Sequence, residues 1–458
     1  MAVAADLRAE LLRLVPDELR VSTSASVLDQ HAQDLTHHAP VEPDVVVFPE
    51  TTEEVAAVLA LANERQIAVT PFGAGSSLEG QVIPLRGGIS LDLTRMNRIV
   101  EVRPADLQAT VQAGVTRLQL NAAAGGHGLL FAVDPGADAT LGGMAATNAS
   151  GTTTVRYGGM RAQVLALEVV LADGSVIRPG SRAVKSSAGY HLTGLFVGSE
   201  GTLGVITELT LRLHGIPEHV VALRLAFRDV EAACRAATAM IGSGVLVTRC
   251  ELVDAESIRT INDYKRTAFP LEPHLFVELG GGEAAVVGDL EAVREFAAAE
   301  GCTRFEAETD PTARARLWEA RHNAFHALAH TAPGKRGYVT DVCVPISQLP
   351  ASVALGRRLV EESGMAGGIV GHVGDGNYHI AFMIDPDDPD ELARAKRLNE
   401  RIVEDALARG GTCTGEHGVG IGKLPFLADE HGDLLPLMRG LKQLLDPNGI
   451  LNPGKVGA

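Results

Sequence analysis

The stretch Pro71-Phe72-Gly73-Ala74-Gly75-Ser76-Ser77-Leu78-Glu79-Gly80 follows a short strand pattern at 67–70 and decides how the first half of the chain is read. A glycine-rich turn after a strand invites a dinucleotide-binding reading, but these glycines are not spaced G-x-G-x-x-G. The next residues, Gln81-Val82-Ile83-Pro84-Leu85-Arg86-Gly87-Gly88, cannot start a helix, so no helix N-terminus stands ready for a pyrophosphate. What remains is a loop whose successive N–H groups form an anion nest, with the hydroxyls of Ser76 and Ser77 as further donors. Taken alone, the same residues also describe an ordinary turn.

Two more stretches shift that balance. Asp134-Pro135-Gly136-Ala137-Asp138-Ala139-Thr140-Leu141-Gly142-Gly143-Met144-Ala145-Ala146-Thr147-Asn148 is rich in small residues throughout, and Gly198-Ser199-Glu200-Gly201-Thr202-Leu203-Gly204-Val205-Ile206-Thr207 runs into a strand pattern. A packed helix or strand wants larger side chains, so small ones in such number imply that something else fills the space. Three loops of this kind in one α/β region point to a large, flat, phosphate-bearing cofactor.

Outward from these loops, organised structure begins at the β-branched run Pro43-Asp44-Val45-Val46-Val47-Phe48. Thr51-Thr52-Glu53-Glu54 reads as a capping box ahead of a helix with an apolar face. Asp173-Gly174 turns a hairpin. Near Gly215-Ile216-Pro217 the texture changes: two successive β-α-β patterns, with helices over 230–242 and 284–300, suggest an antiparallel sheet with helices on one face, a ferredoxin-like cap. The tail from 351 reads as long helices with two short histidine-bearing segments. The expected division is a lead-in over 1–40, a cofactor domain over 41–216, a cap over 217–440 and a C-terminal segment over 441–458. The fold class is α+β.

At 458 residues the chain is too long for one compact core, and 46% hydrophobic with 21% charged residues is the composition of a folded protein. A net charge of −17 with no basic stripe argues against nucleic-acid or acidic-membrane partners. The five cysteines form no CxxC pair, which excludes an iron–sulfur or zinc-ribbon framework and fits a reducing compartment. The N-terminus lacks an apolar signal region, and no window reaches membrane-spanning length. A cytoplasmic protein is expected, with peripheral docking at the inner face of a membrane left open.

In Ile369-Val370-Gly371-His372-Val373-Gly374-Asp375-Gly376-Asn377-Tyr378-His379 the histidines are seven apart, so on one straight strand they would face opposite ways. Asp375-Gly376 is a strong two-residue turn, however, and pairing outward from it sets His372 opposite His379 with Cβ atoms about 5 Å apart. That is a seat for one metal ion, with Asn377 on the same side as His379. Glu416-His417, within Gly411-Thr412-Cys413-Thr414-Gly415-Glu416-His417-Gly418-Val419-Gly420, offers a carboxylate and an imidazole on a glycine-flanked turn. Two histidines and a carboxylate leave open positions on zinc or a similar ion, as catalytic sites do. The bland alternative is two histidines that merely pair across a hairpin.

PFGAGSS, GGMAATNASG and GSEGTLGVIT, in this order and spacing, resemble the FAD-binding domain of vanillyl-alcohol oxidase type flavoproteins. GHVGDGN-x-H, GTCTGEHGVGIGK and LDPNGILNPGK resemble the C-terminal domain of FAD-linked 2-hydroxy-acid dehydrogenases, a group that includes D-lactate, glycolate and D-2-hydroxyglutarate dehydrogenases. The resemblance implies FAD contacts from Pro71, Phe72, Gly73, Ala74, Gly75, Ser76 and Ser77 in the first loop. In the second it implies them from Asp134, Pro135, Gly136, Thr140, Gly142, Gly143, Ala146, Thr147, Asn148, Gly151 and Thr152. Glu200, Gly201, Gly204 and Ile206 follow in the third, and Asn452 returns to the flavin. No histidine lies between Pro71 and Gly88, and His127 and His191 are taken as the only nearby alternatives, so the FAD is expected to be non-covalent.

The same resemblance assigns His372, His379 and Glu416 to one divalent metal, zinc or manganese. It gives His417 the substrate hydroxyl, Arg321 the substrate carboxylate as a bidentate fork, and Asn377 a place beside the substrate. Tyr338-Val339-Thr340-Asp341-Val342 is closest to the D-lactate branch; the hydroxyglutarate branch carries a lysine where Val339 stands. The implied activity is oxidation of a small D-2-hydroxy acid, D-lactate first, by hydride transfer to flavin N5. With no nicotinamide, haem or iron–sulfur motif, the electrons must go to an external cytochrome, quinone or electron-transfer flavoprotein. The pattern leaves room for a homodimer. A metal-free flavin alcohol oxidase is the rival enzyme, and a cofactor-free scaffold the rival of another class.

Overall fold

The computed structural model of the chain describes residues 2–385 and 387–457, with side chains described from residue 6 onward. It divides into two compact units. Unit 1 comprises Met1–Ser150, Gly158–Ile216 and Glu416–Ala458, and unit 2 comprises Gly151–Tyr157 and Pro217–Gly415.

Among the described residues, unit 1 holds three sheets. The first contains β1 (Val21–Ser22), β2 (Val45–Val47), β3 (Val69–Phe72) and β4 (Ile89–Asp92) in the order β1-β2-β4-β3. β2 and β3 both run parallel to β4, as a strand–helix–strand crossover requires. The crossover helix is Thr52–Arg65, and half of the expected capping box forms: Thr51 accepts from the Glu54 N–H at 3.2 Å. The Glu54 carboxylate goes elsewhere, to the buried Arg20 at 2.7 and 2.8 Å and to the Glu50 N–H. The second sheet joins β5 (Ile99–Arg103), β6 (Gln108–Gln112), β8 (Val164–Val170), β9 (Val176–Ile177) and β10 (Val205–Arg212) in the order β5-β6-β10-β8-β9, while β7 (Leu129–Leu130) pairs with β11 (His214–Gly215). The β8–β9 hairpin turns at Asp173-Gly174, with Gly174 at φ +84°. One apolar core runs from Leu7 through Leu213 to Leu451.

Unit 2 is built on β12 (His219–Ala226), β13 (Val247–Val253), β14 (His274–Gly281), β15 (Arg304–Glu308), β16 (Arg336–Val339), β17 (Val342–Cys343), β18 (Gly367–Gly371) and β19 (Asn377–Ile384). The sheet order is β15-β12-β14-β13-β18-β19-β16, with β17 also on β19. Its first four strands have the ferredoxin-like order expected from the two β-α-β patterns. The first histidine-bearing segment does not stand apart in a helical tail: its two arms, β18 and β19, extend the same sheet, β18 pairing with β13 and β19 with β18.

The borders differ from those expected on two counts. Residues 151–157 leave the cofactor domain for unit 2, where the Arg156 guanidinium donates to the Gly280 and Leu246 carbonyls at 2.9 and 3.1 Å. Residues 416–440 belong to unit 1 rather than the cap, for a reason the glycines of that segment supply below. All five cysteines are free thiols. Among the described residues no helix is long and apolar enough to cross a membrane.

Candidate active site

In unit 1 the three small-residue loops come together. A Cβ on Gly73 would collide with Thr140 Oγ1, and one on Gly201 would sit 2.8 Å from the Pro71 ring. The third loop is hydrogen-bonded to the second through Gly198 N to Ala145 O at 2.9 Å and Glu200 N to Ala146 O at 2.8 Å. Only residues this small permit such approach. The second loop was expected to be irregular, yet Leu141–Ala146 forms a short helix with Thr140 accepting from Gly143 N. Its glycines serve close packing, since a Cβ on Gly142 would lie 2.6 Å from that of Ala113. Gly136, Ala74 and Gly143 stay exposed, Phe72, Gly204 and Ile206 are buried, and Asp134, Pro135, Gly75, Ser76, Ala146, Thr147 and Asn148 are half-buried. Gly151 and Thr152, expected on the cofactor, lie in unit 2.

Ser77 is already engaged. Its hydroxyl donates to Asp34 Oδ2 at 3.0 Å, and the same oxygen accepts the Gly80 N–H at 2.9 Å. The lead-in therefore clamps the first loop instead of merely preceding it. Two histidines that precede that loop in sequence lie beside it in space. The His31 ring packs 4.3 Å from Phe72 with its nitrogens on Val27 O and Asp92, and His38 borders Gly80. His127 and His191 are thus not the only ones near.

The loop bearing His417 lies against this cradle. Gln81 Nε2 donates to the His417 carbonyl at 2.6 Å, and the Glu200 carboxylate accepts the N–H groups of Val419 and Gly420 at 2.6 and 2.9 Å. Glu79 O accepts Ile421 N at 2.6 Å. Gly418, Gly420 and Gly422 press on Glu200 or Glu79 where any Cβ would collide, which is why the sequence alternates glycine there. The imidazole Nδ1 of His417 lies 3.9 Å from Glu79 Oε1. Burial pushes the Glu200 carboxyl above the usual carboxylate range, against the pull of the Gly420 and Val419 N–H groups. Asn452, at φ +38°, donates to Glu200 O at 2.7 Å and Gln81 O at 3.0 Å, so it joins the first and third loops. Lys455 Nζ adds bonds to Ile83 O and Gln81 O, and burial brings its ammonium down to about 8.

In unit 2 the hairpin register differs from the expected one. Val370, not His372, stands opposite His379. The turn is wider than two residues: Asp375 N and Asn377 N both donate to His372 O, at 3.0 and 3.3 Å, and Gly376 takes φ +84°. A shift of two keeps every side chain on its face. His372 and His379 therefore become diagonal neighbours, their rings 5.4 Å apart and nearly perpendicular.

Each imidazole is held through Nδ1. His372 contacts the Glu251 carboxylate at 2.8 and 3.0 Å. His379 faces Thr340 O at 3.3 Å and Asp341 Oδ1 at 3.5 Å. Glu251 is fully buried and also receives Arg321 Nη2 at 2.6 Å. Asn377 Nδ2 donates to Asp341 Oδ1 and Val342 O at 2.7 and 2.8 Å, which fixes the amide orientation. Thr414 Oγ1 donates to Asp341 Oδ2 at 2.7 Å. Two buried atoms in this cluster, Arg321 Nε and Asn377 Oδ1, have no hydrogen-bond partner among the described residues. Gly415 abuts Asn377 and Asp341 so closely that a Cβ would strike the Asn377 amide, and Glu416 follows by one peptide bond.

Glu251, Asp341, Glu79, Gln81, Asp34 and Lys455 were not singled out from the sequence. The available signal was a carboxylate inside an apolar strand, as in Val247-Thr248-Arg249-Cys250-Glu251-Leu252-Val253, because such a group stays buried only with partners.

Residues 216–456 match the family model described as FAD linked oxidases, C-terminal domain, and residues 43–180 match the FAD binding domain. The chain is 44% identical over 448 residues to a probable mitochondrial D-lactate dehydrogenase of Danio rerio, covering 97% of this chain and 90% of that protein. It is 40% identical to the mitochondrial D-lactate dehydrogenase [cytochrome] of Arabidopsis thaliana, covering 99% and 80%. It is 33% identical to the glycolate oxidase subunit GlcD of Bacillus subtilis, covering 100% and 97%. Its fold is that of p-cresol methylhydroxylase, at TM-score 0.82 and 19% identity over 99% of this chain and 96% of that one. The first two small-residue loops of unit 1 thus fall in the matched flavin domain and the paired histidines of unit 2 in the matched C-terminal domain, and the protein is a member of the FAD-linked oxidases.

Proposed function

We propose that the chain oxidises a small D-2-hydroxy acid, with D-lactate to pyruvate as the first choice, using non-covalent FAD and one divalent metal, zinc or manganese. Electrons then leave to an external acceptor such as a cytochrome, a quinone or an electron-transfer flavoprotein.

The observation that carries the reading is the pair His372 and His379, with Nδ1 of one on a buried carboxylate and Nδ1 of the other facing a carbonyl and a carboxylate. Metal-ligating histidines are held in this way, leaving Nε2 as the ligating atom. Glu416 is the third ligand in this reading, since the chain passes directly from Gly415 beside Asn377 to that carboxylate. The partnerless Arg321 Nε suits an anion, and Asn377 Oδ1 suits a donor, as a substrate carboxylate and hydroxyl would supply. The collision-tight glycines of the three loops suit a flat cofactor laid over them.

When bound, the flavin supplies a hydride acceptor and the metal a Lewis acid that lowers the pKa of the hydroxyl. Arg321 binds the carboxylate and fixes which face of C2 is presented. Asn377, immobilised by Asp341 and Val342, orients the hydroxyl. His417 takes the hydroxyl proton, its backbone carbonyl anchored by Gln81 so that the ring stays in place.

The test is a panel of D- and L-lactate, glycolate and D-2-hydroxyglutarate with a dye acceptor, before and after chelator treatment. D-lactate should give the highest kcat/KM, chelation should abolish turnover, and zinc or manganese should restore part of it. Undiminished turnover after full chelation would remove the metal from the reaction and leave the metal-free oxidase. No turnover of any 2-hydroxy acid would sink the substrate class.

A further inference from the structure

The buried carboxylate of Glu251 faces two groups with separate tasks in the proposed reaction. Its Oε2 accepts Arg321 Nη2 at 2.6 Å, and both of its oxygens lie within 3.0 Å of His372 Nδ1. Glu251 has no exposed surface, and Arg321 and His372 expose about a tenth of their side chains. Arg321 stands on the helix Pro311–His322, Glu251 on β13 and His372 just past β18, so three elements of unit 2 converge on one anion.

We infer that Glu251 is a positioning residue that couples metal binding to carboxylate binding. This rests on the functional reading above. One negative charge is divided between an imidazole N–H and a guanidinium. A cation on His372 Nε2 makes Nδ1–H a stronger donor and draws the carboxylate toward the ring. Arg321 is then less neutralised and holds an incoming carboxylate more tightly. The argument runs equally in reverse, because coupling between two binding events is reciprocal. No proton need change hands; the shared hydrogen bonds suffice. Without Glu251, His372 loses the group that fixes its tautomer and ring plane, a loss that typically weakens metal binding about 10–100-fold.

The experiment uses the flavin-loaded full chain, with zinc or manganese affinity read by titration and propionate as the carboxylate probe. Propionate lacks the 2-hydroxyl and so offers no five-membered chelate to the metal. In the wild type, saturating propionate should tighten metal binding several-fold, and metal should tighten propionate by the same factor. Glu251→Gln should bind metal at least about 10-fold more weakly and lose the coupling, while flavin absorbance stays near wild type. Arg321→Gln should tighten metal binding in the wild-type background and do so less beside Glu251→Gln, which a direct charge effect would not show. Wild-type metal affinity in Glu251→Gln would overturn the inference, as would a wild type that binds both ligands independently, a result that needs no variant to fold. A wild type that binds no metal at all would instead sink the functional reading on which the inference stands.

Discussion

In the reaction proposed above, His417 has the task of receiving a proton and Arg321 that of holding an anion. Replacing His417 by alanine should lower kcat about 10²–10⁴-fold, the usual contribution of a general base. Flavin absorbance should persist, because Gln81 holds the backbone at that position and not the ring; unchanged turnover would dismiss the role. Arg321→Lys keeps the charge but loses the planar fork and the fixed bond to Glu251. We expect KM for the 2-hydroxy acid to rise at least about 10-fold, in line with loss of one charge-assisted bond, with kcat changed less. Steady-state kinetics on D-lactate decide this. At this scale the sequence was informative about residue types and silent about partners. His372, His379 and Arg321 stood out by motif, whereas Glu251 and Asp341 gain their meaning from strands and helices that lie far away along the chain. Ser77 shows the converse. It looked like an anion donor, but Asp34 already takes its hydroxyl.

The hairpin carrying the two histidines is the clearest lesson among the elements. Its existence, its turn residues and the shared face of the imidazoles could all be read from residue spacing, while the pairing came out two residues away because the turn is wider than Asp375-Gly376. Side-chain parity survives an even shift, so the shared face was foreseeable where the register was not. Gly376 sits at φ +84° with its Cα against the Val344 carbonyl. Gly376→Val should cost at least about 1–2 kcal/mol, since a β-branched residue is excluded from that region. It should also reduce bound metal; differential scanning calorimetry and metal analysis read the two effects, and a variant equal to wild type in both would refute the account. The small-residue helix Leu141–Ala146 was hidden for a related reason. Its composition reads as loop, and only the loops packed around it make it fold.

Across the whole molecule, the two family domains and the change near residue 216 could be seen in the sequence, but the exchange of 151–157 and 416–440 between units could not. Those segments are placed by bonds such as Arg156 to Gly280 and Glu200 to Gly420, which no local pattern announces. Acid stability should be set partly by His274, fully buried in unit 2 and accepting from Arg224 at Nδ1. Burial first, and Arg224 second, bring its pKa down to about 3 from the ordinary 6.5. The unfolded chain therefore takes up a proton below about pH 6.5 that the folded one refuses, and stability drains as pH falls from 6.5 toward 3. His274→Gln should flatten that limb, losing about 2–3 kcal/mol less than wild type between pH 7 and 4.5 at 1.36 kcal/mol per unit. Urea unfolding at the two pH values checks this, and equal losses would exclude His274 as the sensor.

Asn452 ties the end of the first loop to the third, and Lys455 holds Gln81 and Ile83 beside it. A preparation nicked by a protease just ahead of Asn452 would consequently come off the column pale, although nearly all of its mass remained. The yellow of a fresh batch is in this sense a gauge of whether the segment from Asn452 to Lys455 is still attached.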